Sequence, residues 1–422
     1  MREIVLSQKM ERDELLEGRY IPREGIKYAR EYLHNNLIKV ITGPRRAGKS
    51  VFSIQMLEGM NFAYLNFDDE RLTSISDYDE ILKAIRQVYG ETKIILFDEI
   101  QNLPRWELFV NRLHRRGYNI IITGSNAHLL SRELSTHLTG RYIRFHLYPF
   151  SFLEFLQAKE FTIDETLKLK ERQGLLLGLL DQYLEKGGYP EVVVKDLEAK
   201  HYLTTLFESI LFKDIVKRYS VRYPKMLSDL AQYLITNHSN EFSYTKLKNI
   251  LQFRSVHTIE NYLKYLDEAF LMFTIDRFSF KFKEQMRSPK KLYGYDTGLI
   301  NAIKFKTGKD LGRLMENLVA VELLRRKADF YYYKSINGKE VDFVIKQGQK
   351  VGQLIQVCYD IDDFATKKRE LASLIKAGKE LGCKNLTILT WEYEADEEYE
   401  SQKIQFLPLW RWLTVKEDRI GS

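Results

Sequence analysis

The sequence is poor in the features that mark several common protein classes. It has only two cysteines, Cys358 and Cys383. They are too few for a disulfide framework or a cysteine-rich metal site, and such usage fits a reducing compartment. Eight prolines and 23 glycines in 422 residues leave little chain for flexible linkers. The first dozen residues are charged and lack an apolar stretch, and no later run reaches the roughly 18 uncharged apolar residues that span a bilayer. The expectation is a cytoplasmic chain with no membrane partner. There is no internal repeat and no low-complexity segment. Charge of one sign is also scarce: 65 Lys and Arg face 58 Asp and Glu, a formal net charge of +7. That balance permits nucleic-acid binding without demanding it.

What is present is a chain too long for one ordinary core, with 44% hydrophobic residues, so several modules are expected. Near-continuous apolar runs at Leu37–Thr42, Phe62–Phe67, Lys93–Phe97 and Asn119–Thr123 read as buried strands. Helical patterns at Lys49–Met60, Tyr78–Tyr89 and Trp106–Arg116 alternate with them, and Arg141–Leu147 reads as a last strand. The alternation predicts an α/β core with a parallel sheet. Long helical stretches follow from Phe152 to about Tyr219, broken at Gly187, Gly188 and Pro190, which suits a lid or connector.

Gly43, Pro44, Arg45, Arg46, Ala47, Gly48, Lys49 and Ser50 fit the phosphate-loop pattern, after a predicted strand and before a predicted helix that continues through Val51. Backbone N–H groups of such a loop wrap the β-phosphate at a helix N-terminus, Lys49 neutralises β/γ oxygens, and Ser50 ligates Mg²⁺. These residues predict ATP as ligand and Mg²⁺ as cofactor. The strand Lys93–Phe97 delivers Asp98 and Glu99 at its carboxyl end, where open parallel sheets bind ligands. Asp98 is placed to hold the magnesium shell and Glu99 to polarise the attacking water. The third strand ends in Gly124, Ser125 and Asn126. Asn126 is the candidate γ-phosphate sensor, with a plain turn residue as the other reading.

The run Asp98-Glu99-Ile100-Gln101, together with Thr123-Gly124-Ser125-Asn126, Thr139-Gly140-Arg141 and Pro149-Phe150-Ser151-Phe152, resembles the prokaryotic ATPases of the AAA-plus superfamily that carry a C-terminal domain of unknown function. The resemblance extends through Gly187-Gly188-Tyr189-Pro190 to Glu340-Val341-Asp342-Phe343. It implies that an arginine from a neighbouring subunit completes the site. Arg141 matches best, with Arg132 and Arg144 as rivals, and a homo-oligomer such as a hexamer follows from it.

Ser243–Leu251 and Ser255–Phe270 are helical patterns separated by Gln252, Phe253 and Arg254, the short spacing of a helix-turn-helix. A strand-like run to Asp276 and a basic tip complete a winged-helix pattern. The second helix offers His257, Asn261 and Lys264. The wing bears Arg277, Lys281, Lys283, Arg287, Lys290 and Lys291 among phenylalanines, a mixture that suits phosphate and groove contact. The rival reading has this module pack against its own ATPase core.

The order helix, three strands, helix, strand from Leu311 to Thr390 resembles the PD-(D/E)xK nuclease fold, with Glu316 on the first helix and Asp342 on the second strand. Where that fold needs a second acid and a lysine, the chain has Gln356, Val357 and Cys358. Nuclease activity is therefore expected to be lost. The expected domains are an N-terminal segment 1–32, a P-loop core 33–150, a helical connector 151–222, a winged helix 223–295 and a degenerate nuclease-like, restriction-endonuclease-type α/β domain 296–422. Two functions fit: a Mg²⁺-dependent ATPase acting on DNA, duplex or branched, Holliday junctions included, or an ATP-dependent signalling switch with a protein partner.

Overall fold

A computed structural model describes residues 1–73, 75, 77–125, 138, 140–305 and 310–415. The chain divides into two compact units, one of residues 1–150 with 268–270, the other of 151–267 and 271–422.

In the first unit the five apolar runs become β1 (Ile38–Thr42), β2 (Ala63–Asn66), β3 (Ile94–Asp98), β4 (Asn119–Gly124) and β5 (Tyr142–His146). They form one parallel sheet in the order β2-β3-β4-β1-β5. The runs lack a polar alternation because both faces are covered. Ile38, Val40, Leu65, Phe97, Ile120 and Ile122 enter one core cluster, while Ile41, Tyr64, Leu96 and Ile121 enter another. One residue breaks the apolar run: Lys39 is fully buried, and its ammonium donates to the Asn35 carbonyl at 2.7 Å and Asn119 Oδ1 at 2.8 Å. Burial pushes its pKa down to about 8.

The N-terminal residues, set apart in the sequence reading, are integral to this unit. Helix Arg2–Glu17 buries Val5 in the core. Its Gln8 side chain donates to the Asn66 carbonyl at 2.9 Å and accepts from the Asn66 N–H at 3.1 Å. Gln8 thus satisfies backbone groups of β2, which would otherwise stand open at the sheet edge.

The second unit contains a three-stranded antiparallel sheet in the order β6 (Glu241–Phe242), β8 (Lys290–Gly294), β7 (Met272–Ile275). With helices Pro224–Thr236, Tyr244–Ile250 and Val256–Glu268, and a short helix Phe282–Arg287 between β7 and β8, the chain order is helix, strand, helix, helix, strand, helix, strand. The Ser243 hydroxyl accepts from the Lys246 N–H and the Ser255 hydroxyl from the His257 N–H. Both helix starts are therefore capped as their sequences imply.

The unit continues in a six-stranded mixed sheet of β9 (Asp329–Lys334), β10 (Glu340–Gln347), β11 (Lys350–Cys358), β12 (Leu386–Thr390), β13 (Ala395–Tyr399) and β14 (Gln402–Pro408). Its order is β13-β14-β12-β11-β10-β9. Helix Leu311–Arg325 precedes the sheet and helix Phe364–Leu381 joins β11 to β12. The last two strands, β13 and β14, are additions that the sequence reading lacked.

Candidate functional site: the phosphate loop and the acidic strand end

The loop after β1 turns back beside the chain leaving β5. The Leu147 N–H donates to the Thr42 carbonyl at 2.7 Å, and a Cβ on Gly43 would lie 2.0 Å from the Leu147 carbonyl oxygen. Only glycine fits there. Helix Lys49–Leu57 then starts directly from the loop, so the free N–H groups of its first turn face the loop's concavity. Val51 is half-buried in that turn. Lys49 is 4% exposed; its Nζ donates to the Pro44 carbonyl at 3.0 Å and lies 3.5 Å from Glu99 Oε1.

Asp98 ends β3 and is 2% exposed. The Tyr64 hydroxyl donates to its Oδ2 at 3.2 Å and Thr123 Oγ1 donates to its Oδ1. Burial and the neighbouring Glu99 push its pKa up to about 6, against the lowering pull of the Ser50 and Thr123 hydroxyls and of Lys49. Glu99 has a left-handed backbone, φ 48°, which turns the chain sharply at the strand end. Its N–H donates to Thr123 Oγ1 at 3.0 Å, and the Gln101 amide donates to its carboxylate. Burial would raise its pKa, but Lys49, Gln101, Arg45 and Ser125 together hold it below the usual carboxylate value. The site thus contains two adjacent carboxylates whose pKa values are pushed in opposite directions.

The sequence reading overlooked two residues. Thr123 was passed over for Asn126, yet the pairing of Phe97 with Ile122 already places Thr123 beside Asp98, and its single hydroxyl ties both acidic residues to β4. Arg23 lies in a segment without a motif. Its buried guanidinium donates to the Ala47 carbonyl at 2.8 Å and the Tyr148 carbonyl at 2.6 Å, and stacks 5.0 Å from the Phe150 ring centre. It braces the phosphate loop from below.

Asn126 and Arg132 lie outside the described residues. Arg141 is exposed just before β5; its carbonyl accepts from the Ile38 N–H at 2.8 Å and its guanidinium donates to Asn111 at 2.7 Å. This is the opposite end of β1 from the phosphate loop. Four residues of strand at about 3.3 Å each keep it from its own chain's loop. Arg144 lies within edge strand β5, its guanidinium 5.8 Å from the Tyr142 ring.

On helix Val256–Glu268, His257 and Lys264 are exposed and Asn261 is half-buried; His257 Nδ1 lies 3.5 Å from Glu260. Between β7 and β8, Lys281, Lys283 and Arg287 are exposed, with Lys281 3.1 Å from Glu284. Phe280 and Phe282 are 69% and 73% exposed among them. Two residues leave the predicted wing. Arg277 is half-buried and donates to the Lys334 carbonyl. Lys291 is buried, because it belongs to strand β8 and points inward.

In the six-stranded region Glu316, Asp342 and Gln356 do come together. Gln356 Oε1 accepts from the Asp342 N–H at 3.3 Å and its Nε2 donates to Glu370 at 2.8 Å. Cys358 is buried in the apolar core, and burial pushes its pKa up to about 12.

A five-stranded parallel sheet with a phosphate loop after its fourth-ordered strand, and an acidic strand end two strands away, defines the first unit as an AAA-type, P-loop nucleotide-binding domain. The family described as "AAA domain" matches residues 35–156, and two families described as domains of unknown function, DUF8612 and DUF4143, match 177–310 and 311–412. An uncharacterized protein of Methanocaldococcus jannaschii is 38% identical over 398 residues, covering 89% of this chain and 88% of that protein. An uncharacterized protein of Haemophilus influenzae is 31% identical over 398 residues, covering 90% and 95%. The chain belongs to the family of these two proteins, and in it the AAA domain is followed by the DUF8612 and DUF4143 regions. Among solved structures, the Walker-type ATPase of Pyrococcus abyssi is similar at 16% identity, covering 67% of this chain and 96% of that one, with a TM-score of 0.44. No helix among the described residues is long and apolar enough to cross a membrane.

Proposed function

We propose that the chain is a Mg²⁺-dependent ATP hydrolase that acts on DNA. The observation that carries the hydrolytic reading is the Asp98–Glu99 pair held by one threonine, with Glu99 facing Lys49. A nucleotide clamp needs only the loop; a second, ionised carboxylate beside it serves hydrolysis.

The oxygen donors of Ser50 and Asp98, hydrogen-bonded to one another, fit a hard cation such as Mg²⁺. When bound, that ion supplies positive charge to the β- and γ-phosphate oxygens. The loop N–H groups and Lys49 bind and orient the phosphates. Glu99 accepts a hydrogen bond from the attacking water, aligning its oxygen with the γ-phosphorus as the bond to the β,γ-bridging oxygen breaks. Because its pKa is held low, Glu99 works by orientation and polarisation, with proton transfer late in the step. Arg141, out of reach of its own loop, completes the site of a neighbouring copy in a homo-oligomer.

The DNA reading is supported by a helix-strand-helix-helix-strand-strand order like that of a winged helix, with a short helix Phe282–Arg287 inserted between the last two strands, and by exposed His257, Lys264, Lys281, Lys283 and Arg287. A second reading, a switch that binds a protein partner, is favoured by the exposed Phe280 and Phe282, since large apolar side chains in solvent mark docking surfaces. Steady-state ATP hydrolysis with and without duplex, single-stranded and four-way-junction DNA decides between them, with Glu99→Gln as control. Stimulation by one DNA form is expected. Unchanged hydrolysis with no DNA binding at low salt would leave the protein-partnered switch.

A further inference from the structure

Strand β8 carries two consecutive lysines with different fates. Lys290 is half-buried beside Asp276, 2.5 Å away. Lys291 turns inward and is 2% exposed. Its Nζ lies 2.6 Å from Glu340 Oε1, 2.9 Å from Glu316 Oε1 and 3.5 Å from Asp342 Oδ1. The Tyr293 hydroxyl donates to the same Glu316 oxygen at 2.6 Å, and the second oxygen of Asp342 accepts the Val357 N–H at 2.9 Å. Burial alone would depress the Lys291 pKa, but Glu316, Asp342 and Glu340 hold it well above the ordinary lysine value. The ammonium is a permanent charge, and its three N–H donors meet three carboxylates.

Carboxylates from a first helix and a second strand are what metal-dependent nucleases of the PD-(D/E)xK type use to hold a divalent cation. Here the residues do not fit a metal. Gln356 brings an amide instead of a charge and is engaged by Asp342 and Glu370. Among the described residues no group of three or more His, Cys, Asp or Glu side chains is arranged to hold a metal ion, and the centre of this group is occupied by the Lys291 ammonium.

We propose that Lys291 is a built-in counter-cation, seated among Glu316, Glu340 and Asp342 where a divalent ion would otherwise sit, so that this region is a metal-free module clasped to β8 by its own ion cluster. The reasoning is electrostatic. The largely buried Glu316 and Asp342, with the half-buried Glu340 beside them, cannot all stay charged without a cation. The chain supplies one from a neighbouring strand, and with it a link between the three-stranded and six-stranded sheets. Divalent ions such as Mg²⁺ need several oxygens at about 2.0–2.1 Å, which the seated ammonium denies them.

The test uses the full-length, nucleotide-free, metal-stripped chain titrated with Mn²⁺, with free ion read by electron paramagnetic resonance. Any uptake at the phosphate loop is common to all variants and cancels. Lys291→Ala is expected to take up one more ion per chain than the wild type, and Lys291→Ala combined with Asp342→Asn to lose it. Should Lys291→Ala fold poorly, thermal unfolding replaces the titration: Mn²⁺ is expected to raise its melting temperature by more than it raises that of the wild type. The proposal is overturned if the wild type binds an ion that Asp342→Asn removes. It is equally overturned if Lys291→Ala neither takes up more Mn²⁺ than the wild type nor is stabilised more by it.

Discussion

Lys49 Nζ and Glu99 Oε1 stand 3.5 Å apart with both side chains largely withdrawn from solvent. The cation proposed to bind the phosphates is thus paired with the carboxylate proposed to orient the water. ATP must compete for Lys49, and when it succeeds Glu99 is released toward the γ-phosphate. Lys49→Ala is expected to weaken ATP binding by about 100-fold, the equivalent of one or two charge-assisted hydrogen bonds. Wild-type affinity in a fluorescent-nucleotide titration would remove Lys49 from the site.

Glu99→Gln follows from the same pair with the opposite sign for binding. It frees Lys49 from a competing partner, so ATP affinity should hold or rise. Hydrolysis should fall by roughly 10²–10⁴-fold, the range for loss of a group assisting proton transfer. A steady-state rate close to wild type would exclude Glu99 from that role.

Thr123 links both acids to β4. Thr123→Val keeps the shape and removes the hydroxyl, leaving the buried Asp98 carboxylate and the Glu99 N–H each short of a partner. The expected cost is about 1–3 kcal/mol, measured by urea denaturation, with slower hydrolysis at unchanged protein concentration. A variant as stable and as active as wild type would contradict the bracing role.

The phosphate loop was legible because its chemistry needs fixed residue types at fixed spacing, and the core strands because a sheet covered on both faces leaves no polar alternation to read. Thr123, Arg23 and Lys291 were not legible, for one physical reason. Each acts through a partner distant in sequence: Asp98 across a strand pair, Ala47 across a loop, and Glu316, Glu340 and Asp342 across two sheets. Lys290 and Lys291 both read as charges of the basic wing, whereas Lys290 is half-buried against Asp276; only pairing of β8 with β6 and β7 decides which of the two points inward. Gln8 escaped notice likewise, since an edge strand's need for a partner appears only once the sheet order is known.

Two buried groups give the second unit opposite pH slopes. Burial pushes Asp296 up to about 6 from an ordinary 3.8, against the backbone N–H donors of Gly188, Leu299 and Gly298. An acid with a raised folded pKa contributes stability that is full below its unfolded value and is lost as pH rises through the folded one. Burial pushes His238 down to about 4 from 6.5. Its contribution is full above the unfolded value and is lost as pH falls from about 6.5 toward 4. In the wild type the two largely offset across that window. Asp296→Asn removes the first, so its urea-denaturation stability should drop more steeply than that of the wild type between pH 6.5 and 4. Parallel profiles would refute the assignment.

Asp296 also explains the first of the paired glycines of the connector, Gly187. Its Oδ1 caps helix Thr297–Ile303 through the Leu299 N–H at 2.8 Å, and its Oδ2 accepts the Gly188 N–H at 2.7 Å. Gly187 has φ 76°, and a Cβ there would lie 2.2 Å from Asp296 Oδ1. Gly187→Ala therefore places an alanine at φ 76° and ψ −170°, a region essentially confined to glycine, at about 1–3 kcal/mol, and displaces a carboxylate that satisfies a helix cap and a buried N–H, at about 1–3 kcal/mol more. Gly90 is the control: its φ of 71° and ψ of −149° lie in the same region as those of Gly187, yet a Cβ there meets nothing within 4 Å. Gly90→Ala should show the backbone strain alone, and Gly187→Ala roughly twice that loss in urea denaturation. Equal losses would mean that the close approach of Asp296 does not require glycine at 187.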